Sequence, residues 1–457
     1  MEHIINYLRT HRQQHLDELF DLLLIPSVST LPEHADDIRR CAEFVAQHLS
    51  NIGLKQVEIM PTGGHPVIYA EWLEQKNVPT LLIYGHYDVQ PPEPLDLWLS
   101  PPFEPTIRDG EIYARGASDD KGQFWAYIKA IEAFLKNDSV LPVNVKLLIE
   151  GEEEIGSGHL HQFVLDHAEQ LKADAILLSD NSQYQRGTPT ICYGTRGLVH
   201  GEIHVQTAAR DLHSGSFGGL ADNAIQVLAD IISALKNERE QVTIPGFYDE
   251  VAMVSDAERA NFESLPFDDN ELKQEIGIRD VIGEEGYPPL VRRWARPTLE
   301  INGIVGGFTG EGTKTIIPAK AMAKVTMRLV PNQDPQKIAD AAKAYIEQTL
   351  APSSARVAFI GGADCRAYLT PMNHPIFEPV TRALRATYGK EPVFARTGGT
   401  IGVLSTFSNT MGVPIVMIGL CNPDDNAHAP NEHFTEELYY LGIEAAARAL
   451  YELREWK

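Results

Sequence analysis

Four short runs of the chain are almost continuously apolar and rich in Val, Ile and Leu: Thr80 to Tyr84 (TLLIY), Val143 to Ile149 (VNVKLLI), Ala175 to Leu178 (AILL) and Pro414 to Ile418 (PIVMI). Runs of this length and composition predict strands buried on both faces, as in a parallel sheet. After Asp119 and Asp120, the stretch KGQFWAYIKAIEAFLKN sets Phe124, Tyr127, Ile128, Ile131 and Leu135 on one face at helical spacing. Strand alternating with helix predicts an α/β domain with a mostly parallel, twisted sheet and flanking helices.

The middle of the chain has a different rhythm. GLVHGEIHVQT alternates like a half-exposed strand, and AMAKVTMRLVP does so more clearly. In the latter Ala321, Ala323, Val325, Met327 and Leu329 take one face, while Lys324, Thr326 and Arg328 take the other. Helical stretches follow (NAIQVLADIISALKN and PQKIADAAKAYIEQTL), and ARVAFIGG is a third strand. Two strand–helix pairs on an antiparallel sheet predict a small α+β domain of ferredoxin-like pattern, inserted into the first domain. The expected division is 1–197 and 368–457 for the α/β domain and 198–367 for the insertion. The more polar stretch from about Pro245 to Pro297 reads as an elaborated loop within the insertion. GIVGGFTGEGTKT reads as a turn lining it, because Lys314 falls one place late for a phosphate-binding loop.

Composition narrows the function. Of 457 residues, 43% are hydrophobic and 22% charged, which is ordinary for a globular protein with a sizeable core. The net charge of −24 repels phosphate backbones and anionic lipid, so neither nucleic acid nor membrane is an expected partner. Cys41, Cys192, Cys365 and Cys421 are scattered, a pattern expected of a reducing compartment and not of a disulfide framework or zinc ribbon. No signal-peptide pattern and no run of about 20 apolar residues is seen, so a cytoplasmic address is expected. No Gly-x-Ser-x-Gly elbow supports a serine hydrolase.

The candidate chemistry is positional. TLLIY leads to His86 and Asp88, and VNVKLLI to Glu150 and then Glu152, Glu153 and Glu154. AILLS leads to Asp180, and PIVMIGL to a loop carrying Asp424, Asp425 and His428. Asp119 and Asp120 stand where the helix begins. In open α/β sheets the carboxyl ends of the strands form the ligand crevice, so residues far apart in sequence are predicted to converge there. Two histidines and three carboxylates, one of them bridging, suit two divalent ions about 3.5–4 Å apart. Mixed nitrogen and oxygen donors fit zinc, manganese or cobalt. A second glutamate beside a liganding one can move a proton between water and a leaving group.

Taken together, YGHYDVQP, ARGASDDKG, EGEEEIGSG, LLSDN, DLHSG, RLVPN and DDNAHAPNE resemble the metallopeptidase family of carnosine dipeptidases, aminoacylases and carboxypeptidase G, and within it the cytosolic nonspecific dipeptidase branch. The resemblance runs from His86 to Glu432. It implies that His86 and Asp180 bind one metal ion, that Glu154 and His428 bind the other, and that Asp119 bridges both. It further implies that Asp88 orients His86 and that Glu153 is the general base and then the acid. The family pattern Gly-x-Glu-Glu-x-Gly-Ser fits Gly151, Glu153, Glu154, Gly156 and Ser157, which sets that register. Two divalent ions per subunit are implied, zinc or manganese, with cobalt also fitting.

In such relatives the inserted domain is a lid that also builds a homodimer. His213 of DLHSG would reach the partner subunit's site and help polarise the scissile carbonyl. Arg328 of RLVPN would hold the substrate carboxylate, and Thr315 and Thr400 match substrate-contacting positions. The implied activity is hydrolysis of amide bonds in dipeptides or short peptides. Removal of acyl or succinyl groups from amino acids, as other members of the family perform, is the alternative. A non-catalytic metal-binding protein is the reading from another class.

Overall fold

A strand covered on both faces has no polar side to show, and the apolar runs fold accordingly. In the computed structural model, which describes residues 1–456, the sheet strands are β1 (Lys55–Met60), β2 (Val67–Trp72), β3 (Thr80–His86), β4 (Asn144–Glu150), β5 (Ala175–Leu178), β6 (Thr190–Cys192), β7 (Gly197–Gln206), β8 (Thr298–Gly306), β9 (Lys320–Leu329), β10 (Arg356–Cys365), β11 (Val393–Ala395) and β12 (Ile415–Gly419). Four helices matter below: α1 (Lys121–Asp138), α2 (Ala224–Ala234), α3 (Pro335–Ala344) and α4 (Glu436–Leu453). The chain divides into two units. The first is Met1–Tyr193 with Thr370–Arg396 and everything from Ile401 onward; the second is Gly194–Leu369 with Thr397–Thr400.

The first unit holds an eight-stranded sheet in the order β1-β2-β4-β3-β5-β12-β6-β11. Its centre, β4-β3-β5-β12, is parallel, with His86 level with Glu150 and Met417 level with Leu178. Parallel register brings the residues that follow these four strands to one edge of the sheet, whatever their distance in sequence. Helix α1 is buried without a break from Lys121 to Phe134, not only along the apolar face its spacing predicts. Packing against the first helices of the chain and against α4 covers its polar side as well. The two buried ammonium groups there find partners, as burial requires. The Lys121 ammonium donates to the carbonyls of Leu22 and Ile25, and Lys129 meets Glu18, His48 and Glu132.

The second unit is a four-stranded antiparallel sheet, β8-β9-β7-β10. Alternation turns Val199, Ile203, Ala323, Val325 and Met327 inward, onto Val227 and Ile231 of α2 and Ile338 and Ala342 of α3. Two sequence expectations need correction here. The polar stretch from Pro245 to Pro297 is not a loop: it contains helices at Asp256–Ser264, Asp269–Ile276 and Pro289–Ala295. The first two carry caps, Ser255 in a capping box with Glu258 and then Asp268, so their starts were readable. Nor is the whole of GIVGGFTGEGTKT a turn, because its beginning is the end of edge strand β8. The unit's edges lie at Gly194 and Leu369, where residues 194–195 pair with 368–369. Among the described residues no helix is long and apolar enough to cross a membrane.

Candidate metal centre

β3 ends on His86, which is fully buried. Its Nδ1 lies 3.1 Å from the carbonyl oxygen of Asp88. A carbonyl can only accept, so Nδ1 carries the proton and Nε2 is the atom left for a cation. Nε2 lies 3.1 Å from Asp119 Oδ1. The Asp88 carboxylate is farther from the ring, at 3.5 Å, and accepts instead from the backbone N–H groups of Glu153 and Glu154, at 3.2 and 3.1 Å. Asp88 therefore orients the imidazole chiefly through its backbone, while its side chain ties the turn after β4 to the end of β3. Gly85 makes room for this. A Cβ there would stand 2.6 Å from Phe124 Cβ and 2.8 Å from Asp120 Oδ2, the oxygen that accepts from the His86 N–H.

Asp119, just before α1, presents its two oxygens to two different histidines. Oδ2 lies 2.9 Å from His428 Nε2, which also lies 3.1 Å from Glu154 Oε2. Asp180, which follows β5, joins His86 and Asp119 in one trio; Glu154 and His428 join Asp119 in a second. Within each trio the donor atoms lie within 4.8 Å of one another. All five residues expected as ligands are thus brought together, with Asp119 common to both trios. His428 occupies left-handed backbone, φ +63°, as do Asn426 and Asn431 in the same loop. Such geometry costs of order 1–3 kcal/mol per residue and clusters at functional sites.

The three adjacent glutamates have three different fates. Glu152 is buried and turned away, accepting from the backbone N–H groups of His65 and His159 and lying 2.9 Å from His159 Nδ1. Glu154 meets His428, and its carboxylate and carbonyl both accept from the Gln90 amide, at 2.8 and 3.2 Å. The Glu153 carboxylate, on the turn between them, takes part in no hydrogen bond among the described residues.

The site is short of positive charge. No lysine or arginine among the described residues pairs with Asp119, Glu153, Glu154 or Asp180. Burial, followed by the charge of Asp119, pushes Asp180 up to about 7. Burial also holds Glu153 well above the carboxylate range; Asp180, Glu154 and Glu150 add to this and His86 opposes it. Hydrogen bonds to Asp119 and Glu154 raise His428 to about 11. In His86 burial opposes the charged form, yet Asp119 and Asp88 outweigh it and the pKa rises well above the usual value. Crowded carboxylates beside imidazole nitrogens are a donor set suited to divalent transition-metal ions, whose charge would take the place of those protons.

The other expected site residues lie in the second unit. His213 is exposed on a two-residue strand, Leu212–His213, paired with Ile316–Ile317. Its Nδ1 accepts from the Gly215 N–H at 3.0 Å, so the ring proton sits on Nε2, which can donate. The carbonyl of Thr315 accepts from the Ser214 N–H at 3.0 Å. Arg328 Nη1 donates to Thr400 Oγ1 at 2.6 Å.

Two residues of this architecture were missed from sequence. Gln90, within YGHYDVQP, is one. The other is Glu432, four places after His428 and fully buried. One Glu432 oxygen accepts from the backbone N–H groups of Ser118 and Asp119 and from the Ser118 hydroxyl, at 3.0, 3.1 and 3.0 Å. The other accepts from Arg115 at 2.6 Å and the Gly116 N–H at 3.0 Å. One carboxylate thus holds the loop that presents Asp119. Glu432→Gln puts an amide donor against these donors and leaves Arg115 without its buried counter-charge. The expected result is a loss of about 3–5 kcal/mol of stability to denaturant, with weaker metal binding. An unchanged unfolding midpoint together with unchanged metal affinity would show that Glu432 does not hold this loop.

A largely parallel α/β sheet whose strand ends gather two overlapping histidine–carboxylate trios around one shared aspartate defines a metal-dependent hydrolase. The chain belongs to Peptidase family M20/M25/M40, whose profile matches residues 82–452. It is 31% identical to a Cys-Gly metallodipeptidase of Schizosaccharomyces pombe, over 94% of this chain and 93% of the relative. It is 29% identical to the human Beta-Ala-His dipeptidase, over 100% and 93%. Among solved structures it resembles an M20 family metallo-carboxypeptidase from Sulfolobus solfataricus, with a TM-score of 0.87 and 34% identity, covering 96% of this chain and 99% of that one.

Proposed function

We propose that the chain is a two-ion exopeptidase that cleaves dipeptides or short peptides. The observation that carries this reading is Asp119, shared between two histidine–carboxylate trios, beside a glutamate at 153 whose carboxylate is uncommitted. In this reading His86 and Asp180 hold one ion, Glu154 and His428 the other, and Asp119 both; zinc or manganese would serve. Such ions would polarise a substrate carbonyl and make hydroxide available near neutral pH. Glu153 takes the proton of the attacking water and delivers it to the leaving amine. Asp88, Asp120 and Glu432 keep the backbone from shifting under the ligands. Arg328, steadied by Thr400, holds the substrate's carboxylate in the planar fork suited to it. An internal peptide segment has no such terminus, hence exopeptidase selectivity. The second unit serves as lid and dimerisation domain. His213, with its proton on Nε2, donates to the scissile carbonyl in the partner subunit's site, and Thr315, whose carbonyl accepts from the Ser214 N–H, contacts the substrate. The working form is a cytoplasmic homodimer.

Two relatives similar over nearly their whole length are named for Cys-Gly and β-Ala-His dipeptides, which supports free dipeptides as the substrate class. The test is a panel of dipeptides and N-acyl amino acids assayed after chelation and after return of manganese or zinc. Dipeptides are expected to turn over at least about tenfold better than N-acyl amino acids, only with metal present, a gap of roughly 1.4 kcal/mol. A preference for N-acyl amino acids would make the chain a deacylase instead. No metal-dependent turnover of either would remove the hydrolase reading.

A further inference from the structure

The second unit contains an arginine pair that protein acids do not neutralise. Residues 397–400 are stitched to residues 194–196: the Thr397 N–H donates to the Gly194 carbonyl at 2.9 Å, and the Arg196 N–H to the Gly399 carbonyl at 3.0 Å. The Thr400 hydroxyl donates to the Arg196 carbonyl at 2.7 Å and accepts from Arg328 at 2.6 Å. The backbone of Arg196 thereby sets the rotamer of the threonine that steadies Arg328. The side chain of Arg196 turns into the same segment. Among the described residues its only hydrogen bond goes from Nε to the neutral carbonyl of Gly398, at 2.9 Å.

Neither Arg196 nor Arg328 pairs with a carboxylate among the described residues. The one acid that Arg196 senses, Glu300, is exposed and lies 3.4 Å from the Lys236 ammonium. Burial, and then the like charges of Arg328 and Arg293, lower the Arg196 pKa to about 10. A part-buried guanidinium beside another, with only a carbonyl to satisfy it, costs folding free energy that a bound anion would offset. Departures of this kind from local charge balance are expected at binding sites.

We infer that Arg196 is the second cation of the substrate-carboxylate site, so that a free C-terminal carboxylate is recognised by the Arg196–Arg328 pair and not by Arg328 alone. This rests on the reading of Arg328 given above.

The experiment compares each dipeptide with its C-terminal amide, in wild type and in the Arg196→Gln, Arg196→Lys and Arg328→Gln variants of the metal-loaded enzyme. In Arg196→Gln the KM for the free acid is expected to rise about tenfold with kcat nearly unchanged, while kcat/KM for the amide stays within about twofold. The acid-to-amide preference therefore falls about tenfold. Arg196→Lys keeps the charge and is expected to retain most of the preference. Parallel losses on acid and amide, or a lysine variant as impaired as the glutamine one, would overturn the inference. If Arg328→Gln collapses the preference and Arg196→Gln leaves it intact, only the role of Arg196 falls. If Arg328→Gln leaves it intact, the reading of Arg328 falls first.

Discussion

Replacing Glu153 with glutamine is expected to lower kcat by about 10³-fold, within the 10²–10⁴ range of general acid–base catalysis, while both metal ions stay bound. The reason is local. Glu153 differs from its neighbours in having an uncommitted carboxylate, whereas Glu152 is tied to His65 and His159 and Glu154 to His428 and Gln90. Glutamine fills the same volume and cannot carry the proton, so chemistry fails and the ligand cluster persists. The measurement is kcat together with metal content of the purified variant. Activity within tenfold of wild type would remove Glu153 from the mechanism; loss of metal would make it a ligand and shift the register of the glutamates. The same variant tests the proposal that the site is shared between two subunits. Mixed with a His213→Ala subunit it should recover part of the activity, because one site of the mixed dimer then has both groups intact. No recovery despite demonstrated subunit exchange would count against His213 acting across an interface.

Asp119→Asn is expected to be as severe, for a different reason. Its two oxygens face two histidines, at 3.1 and 2.9 Å. Asparagine offers one acceptor and one donor, so its amide nitrogen can ligate neither ion. Both trios lose a carboxylate, and the site loses the one charge they share. Bound metal should fall from two ions per subunit to one or fewer, and kcat by at least about 10³-fold. Asp180→Asn removes a ligand from one trio only and should lose one ion. A variant at 119 that keeps two ions, counted by elemental analysis, would show that Asp119 is not the bridge. These outcomes are distinguishable from a folding defect, because the thermal midpoint of each metal-free variant can be measured separately.

Much of the candidate centre was legible because four of its five residues lie just after an apolar run or at the start of a helix, His428 alone standing in a loop. Strand, sharp end and metal-capable side chain are all local features, and His86, Glu154 and Asp180 each follow one. What defeated sequence reading was burial of polar groups. Glu152 stands in the sequence only as the first of three adjacent glutamates and is an internal strut. Glu432 sits in a stretch that reads as a polar loop and is fully buried under five donated hydrogen bonds. Helix α1 was legible as one apolar face, but its polar side is enclosed as well, a consequence of how many elements surround it. Strand β8 was not anticipated because this edge strand buries only Leu299 fully, so its sequence shows no sustained apolar face to read.

The order of apolar runs, helical spacings and reactive residues determined an α/β domain with an antiparallel insertion, and it nominated the ligands. Periodicity and strand-end chemistry are properties of neighbouring residues, so the chain carries them openly. Only the tertiary structure decided which oxygen faces which histidine, that Asp119 is common to both trios, and that Arg196 and Arg328 meet at Thr400 with no acid among the described residues paired to either. Those facts depend on parallel register and on contacts between residues far apart in the chain, as Asp119 and Glu432 are, 313 positions from one another. No local pattern encodes such distances, because they exist only once the sheet has closed its order.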